Sequence, residues 1–121
     1  MIAAGFGFRE GARVESLEQA LRAALADTGG ERPEIIATLT AKARHGAMLD
    51  LAERLGLPLL AVEPDGRRTL TASPASLAAY GTGSVAETAA LAAAGPGARL
   101  LGPRALSSDR MATCAIAKKE T

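Results

Sequence analysis

Three clusters in this 121-residue sequence have the residue types and spacing to do chemistry. The first is Gly5-Phe6-Gly7-Phe8-Arg9-Glu10-Gly11. Glycines just after a strand let backbone amides approach an anion, and a following helix adds the positive end of its dipole. Arg9 adds a planar, permanently charged fork that suits a carboxylate or a phosphate. The competing reading is a tight turn that needs positive φ, with Arg9 merely solvated. The second cluster is Gly81-Thr82-Gly83-Ser84 at a predicted helix start. Free amides there, with the hydroxyls of Thr82 and Ser84, suit a carboxylate. Against that, Ser84 and Glu87 have the spacing of mutual helix caps. The third is Lys42-Ala43-Arg44-His45, between a predicted strand and the next helix. It lies at the carboxyl edge where open α/β sheets bind ligands. A solvated loop is the alternative.

Other chemistries fail on spacing. A dinucleotide fingerprint needs G-x-G-x-x-G and an acid near the end of the second strand. Here the third glycine falls one residue late, and the second strand ends in Thr38-Leu39-Thr40. No Gly-Lys-Ser/Thr follows the second glycine cluster, so it is not a Walker-type loop. His45 is the only histidine and Cys114 the only cysteine, which leaves no metal-ligand spacing. Nor do they form a Cys–His or Ser–His–Asp arrangement. Cys114, among Ala, Thr and Ile, reads as a small buried hydrophobe. Arg67 and Arg68 belong to a polar turn and read as solvated.

The elements that must position these clusters follow from periodicity. Ile2 to Phe8 reads as a strand, with Gly5, Gly7 and Gly11 punctuating the turn after it. Ser16-Leu17-Glu18-Gln19 has the form of a capping box. Leu17, Ala20, Leu21, Ala24 and Leu25 then trace one helical face, which Gly29-Gly30 ends. Glu34 to Leu39 is rich enough in β-branched residues for a second strand. Met48, Leu51, Ala52 and Leu55 give a second helical stripe, closed by Gly56 and Pro58. Leu57 to Val62 is a third strand, and Ser73-Pro74 starts a short helical turn. An Ala-rich helix from Ser84 to Ala94 stops at Gly95-Pro96-Gly97. Ala98 to Leu101 and Met111 to Ala117 read as two closing strands. Their short polar connection predicts antiparallel pairing, because a parallel crossover needs about a dozen residues. The expected fold is α/β: residues 1–121 as a single small domain, with a mixed five-stranded sheet and helices packed against it.

Composition agrees. The chain is 48% hydrophobic and 22% charged, the balance of a globular protein. Its formal net charge of +1 argues against a dedicated nucleic-acid binder, and three aromatic residues leave no stacking platform. No apolar stretch approaches the ~20 residues of a membrane span. The start lacks the basic segment and cleavage site of a secretory signal. A lone cysteine fits a reducing cytoplasm, so a cytoplasmic location is expected. Ala accounts for 28 residues and Leu for 16, so the core must rest on small aliphatics and close packing. Such a core buries little area per residue, and dimerisation is one way to gain stability.

Taken together, the segments resemble a known family. Gly5-x-Gly7-x-Arg9-x-Gly11 is one. The Lys42 loop followed by Leu51-Ala52-Glu53-Arg54-Leu55-Gly56-Leu57-Pro58-Leu59 is another. The third is Gly81-x-Gly83-Ser84-Val85-Ala86-Glu87-Thr88-Ala89-Ala90-Leu91, and Met111 to Ala117 fits the closing strand. Their order and spacing resemble the CobE/CbiG C-terminal domain family of cobalamin biosynthesis.

The resemblance implies a small α/β domain with a mixed sheet, in the stand-alone, CobE-like form. It implies a role in corrin-ring synthesis through binding or handing on a precorrin, with no metal or organic cofactor. Other enzymes of that pathway are then expected partners. The ligand-binding residues it points to are Gly5, Gly7, Arg9, Gly11, Lys42, Gly81, Thr82, Gly83 and Ser84. A precorrin carries acetate and propionate groups around a large ring, so it needs several anion sites spread over one surface. Three rival readings remain open. One is hydrolysis of the lactone of cobalt-precorrin-5A, one a nucleotide-binding regulatory module, and one a purely structural partner of another pathway enzyme.

Overall fold

The first strand, β1 (Ile2–Phe8), alternates side chains between two faces and so organises the whole chain. Ala4, Phe6 and Phe8 point to one side, where they meet Leu17, Ala20, Leu21 and Ala24 of α1 (Val14–Asp27). Met48 and Leu51 of α2 (Gly46–Leu55) join the same core. Ala3 points to the other side and packs on Ala86, Ala90 and Leu91 of α4 (Val85–Ala94). Helices therefore cover both faces of the sheet. The computed structural model describes residues 1–64, 67–80 and 82–120.

The sheet order is β3-β2-β1-β6-β4, with β5 also paired to β6. β2 (Ile35–Leu39) and β3 (Leu59–Val62) run parallel to β1. β6 (Ala112–Lys118) runs antiparallel beside β1, placing Gly7 opposite Thr113 and Phe8 opposite Ala112. β4 (Arg99–Leu100) pairs antiparallel with β6, as the short connection predicts. The mixed α/β sheet is thus as expected, with six strands in place of five. The extra one, β5 (Ala105–Leu106), is two residues long and lies in the stretch read as a polar loop. Its pairing with Cys114 and Thr113 makes it a strand, and a two-residue segment carries no periodicity of its own.

A local signal failed at one helix start. The Ser16–Gln19 capping box does not form. α1 begins at Val14, with Arg13 as an N-cap that makes no side-chain bond. Ser16 Oγ instead donates to Asp109 Oδ2 at 2.5 Å, and Gln19 Oε1 accepts from the Ser108 amide and hydroxyl. The turn before β6 has taken both polar groups. α2 is capped by His45, whose Nδ1 accepts from the Ala47 amide at 3.2 Å. Gly56 closes that helix in the left-handed conformation, as its sequence position predicts.

That turn has a pH signature. Hydroxyls of Ser107 and Ser16 and the Met111 amide all donate to Asp109, and these bonds lower its pKa to about 2. Bonds to the charged form favour it in the folded state. Its stabilising contribution is complete above the unfolded carboxyl value near 4 and is lost as pH falls through about 2. Urea unfolding at pH 4 and pH 2 should show a smaller loss of stability in Asp109→Asn than in the native sequence.

Cys114 is fully buried on β6, and burial pushes its thiol pKa up, so the thiolate is not available for chemistry. No helix among the described residues is long and apolar enough to cross a membrane.

Candidate functional site

β1 and β2 run parallel, so the segments after them leave the same sheet edge. The antiparallel β6 brings the turn before it to that edge as well. Across this edge lie α3 (Pro74–Tyr80) and the start of α4. Together they enclose a cleft of about 480 Å3. Gly7, Arg9, Lys42 and Ser84 all line it, so residues from the three sequence clusters share one surface.

Arg9 follows β1 directly, its amide fixed by the Met111 carbonyl at 2.9 Å. Lys42 ends a 3₁₀ turn, Thr40–Lys42, that continues β2. Its Nζ donates to the Phe8 carbonyl at 2.6 Å and lies 4.8 Å from the Phe8 ring centre and 5.4 Å from that of Tyr80. An ammonium has three donors, so this leaves capacity for a ligand. Ser84 is the N-cap of α4. Its Oγ accepts from the Glu87 amide at 3.2 Å.

The other sequence candidates do different work. Gly5 and Gly7 lie within β1, not in the turn after it, so their backbone belongs to the sheet ladder. Gly5 lies beneath α4. A Cβ there would stand 2.9 Å from Ala90 Cα and closer still to the Ala86 carbonyl and the Ala90 amide. The glycine is required by close helix–strand approach, and the dinucleotide-type reading loses its loop. Gly11 is exposed and beyond the cleft lining. Thr82 is buried and hydrogen-bonded to the Thr88 hydroxyl at 2.5 Å. Gly83 packs under the arm from Thr69 to Ala72, where a Cβ would come within 2.6 Å of Thr69 Oγ1. Gly81 lies outside the described residues. His45 stands behind Phe8 with both ring nitrogens engaged. Nδ1 accepts from Ala47, so the Nε2 proton goes to the Glu10 carbonyl at 2.6 Å.

Two functional candidates were missed, Arg104 and Arg110, which also line the cleft. Both come from the stretch read only as polar. Their position depends on the β1–β6 pairing, which joins residues more than a hundred apart. Arg110 is the only non-glycine residue at positive φ (60°) among the described residues. Its amide donates to the Ser107 carbonyl at 3.0 Å. Such a conformation costs roughly 1–2 kcal/mol outside glycine and is retained where the surroundings fix it.

Glu87 was read as half of a cap, and its carboxylate does something else. It is 0% exposed. Oε1 accepts from the Leu70 and Thr71 amides at 2.6 and 2.9 Å. Oε2 accepts from the Thr71 hydroxyl at 3.0 Å and the Arg104 amide at 2.8 Å. It thereby ties the Arg104 wall of the cleft and the segment leading into α3 to α4. The cleft itself gathers Arg9, Lys42, Arg104 and Arg110, and among the described residues no carboxylate is part of its lining. Among the described residues no group of three His, Cys, Asp or Glu is placed to hold a metal ion.

A mixed sheet between two helical layers, with a cationic cleft at one sheet edge, defines the class as an α/β/α sandwich with a cationic edge. The chain belongs to the cobalamin synthesis G C-terminus (CbiG) family, whose model matches residues 2–117. It is similar to the crystal structure of CobE, a protein from the cobalamin (vitamin B12) biosynthetic pathway. The two are 32% identical with a TM-score of 0.88, over 100% of this chain and 92% of that one. It is also similar to the cobalamin biosynthesis protein ChiG from Agrobacterium tumefaciens. There the identity is 34% and the TM-score 0.74, over 100% of both chains. A cobalamin biosynthesis protein G homologue from Sulfolobus solfataricus shares the fold, with 23% identity and a TM-score of 0.72. That match covers 98% of this chain and 37% of the other. No curated protein sequence gives a significant match.

Proposed function

We propose that this protein acts in corrin-ring synthesis by binding a precorrin at the cleft and handing it on to a pathway enzyme. The observation that carries this reading is the charge of the cleft: four cations from three separate segments, with no acidic lining residue among the described residues. A precorrin is a broad, partly apolar ring fringed with carboxylates. Arginine forks pair carboxylates two bonds at a time, and Lys42 adds a point charge. A cleft of about 480 Å3 takes one edge of such a ring and leaves the rest accessible, which suits transfer. Among the described residues the lining hydroxyls of Ser73, Ser76, Ser84 and Thr113 have no imidazole or carboxylate beside them in the cleft lining, which favours binding over hydrolysis.

Visible-spectrum titration with cobyrinic acid, a stable polycarboxylated corrinoid, tests this. Binding at micromolar protein is expected. Arg104→Ala and Lys42→Ala should each weaken it about tenfold, the lower end for a charge-assisted bond. No spectral change with the native sequence would refute the binding role. Undiminished affinity in both variants would refute the site.

A further inference from the structure

The cations account for the fringe of a ligand but leave its body unread. The wall formed by α3 bears on this. None of its seven residues is buried, so the helix spends no face on the core. Ala75, Ser76, Ala79 and Tyr80 fall at i, i+1, i+4 and i+5, one side of a helix, and all four line the cleft. Three of them are small and leave room for a flat surface to approach Tyr80. The base of this wall is fixed, because the Ser73 amide donates to the Gly83 carbonyl at 2.8 Å.

The other aromatic residue of the cleft, Phe8, is unavailable. It is only 7% exposed, with the His45 ring packed against it at 5.0 Å between ring centres. Tyr80, the only tyrosine in the chain, is partly exposed. Lys42 Nζ, 5.4 Å from its ring centre, places a carboxylate-binding charge beside a stacking surface. That juxtaposition matches a conjugated ring bearing acidic arms.

Resting on the binding role proposed above, we propose that Tyr80 is a specificity-determining residue. Its ring packs against the face of the ligand's macrocycle, while the cations hold the carboxylates.

Two probes separate these contributions: uroporphyrin, a planar macrocycle with acidic arms, and butanetetracarboxylate, which has the acids and no ring. Tyr80→Ala should weaken uroporphyrin roughly tenfold, the upper end for an aromatic contact, and leave the tetracarboxylate within about twofold. Tyr80→Phe should match the native protein on both. Arg104→Ala should weaken both. Because α3 lies outside the core, the Tyr80 variants should keep the native melting temperature. Equal losses on both probes in Tyr80→Ala, or none on either, would overturn the assignment of Tyr80 and leave the cationic site standing if Arg104→Ala still weakens both. Failure of the native protein to bind either probe would overturn both proposals.

Discussion

Replacing Glu87 with alanine is expected to destabilise the fold by about 4 kcal/mol, within the range for removing one side of a buried charged network. Three backbone amides and one hydroxyl would lose their acceptor together: those of Leu70, Thr71 and Arg104, and Thr71 Oγ1. These groups are partly buried, so water replaces some of the lost bonds and keeps the cost below the sum of four. Glu87→Gln keeps the volume but turns one acceptor into a donor that faces other donors. It should cost less than alanine and still more than about 1 kcal/mol. Urea unfolding would give both values. Native-state hydrogen exchange should show lost protection at the Leu70, Thr71 and Arg104 amides ahead of the α1 amides. A change below about 1 kcal/mol for the alanine variant would mean that the carboxylate does not hold these two segments. The functional consequence follows from position: Arg104 reaches the cleft on backbone that Glu87 anchors.

The second large effect concerns Gly5. Valine there should prevent native packing, and alanine should cost about 3 kcal/mol, the upper end for overpacking a tight site. The obstacle is backbone on α4: the Ala86 carbonyl, the Ala90 amide and Ala90 Cα. Backbone inside a helix cannot rotate away, and α4 also packs on Ala115 and Ala117 of β6. Gly7 is the informative control. Its nearest neighbour is Thr113 Oγ1 at 2.9 Å, a side-chain atom, followed by Val85 Cβ at 3.2 Å. A threonine hydroxyl can change rotamer, although it would give up its bond to the Gly7 carbonyl. Gly7→Ala should therefore cost clearly less than Gly5→Ala. Thermal or urea unfolding of the two variants side by side decides it. Equal costs would contradict the close-approach explanation for Gly5.

The contrast between these two glycines shows what the sequence makes legible. Local periodicity identified β1, β2, α1, α2 and α4, because each buries one face against the sheet and repeats at its own period. Leu17, Ala20, Leu21 and Ala24 are buried as their spacing predicts. Glycines near Arg9 were read for their amides, whereas Gly5 is there for the helix above it. Periodicity along one segment carries no information about which other segment lies on top. The same limit hid β5 and the cleft arginines. Arg104 and Arg110 reach the site through pairing between the two ends of the chain. Their own neighbours in sequence, Pro103 to Asp109, look like ordinary loop. Ser84 caps α4 as its spacing predicts, but the Ser16 cap and the reciprocal Glu87 half of the α4 cap failed for a related reason. Ser16 and Glu87 carry the right side chains at the right spacing, but partners from distant segments compete for them. Asp109 took the first, and Leu70, Thr71 and Arg104 took the second. The position of Lys42 in the cleft lining was legible because a parallel sheet edge is a topological property that strand order alone reveals.

The central claim is that one cationic edge grips an acidic ring. NMR of the arginine side-chain Nε–Hε signals during titration with cobyrinic acid tests it most directly. Arg9, Arg104 and Arg110 should shift together and saturate at a single equivalent, while Arg54, paired with Glu15 and Glu18 on the α1–α2 face, stays in place. Shifts confined to arginines outside the cleft, or none at saturating ligand, would contradict the account.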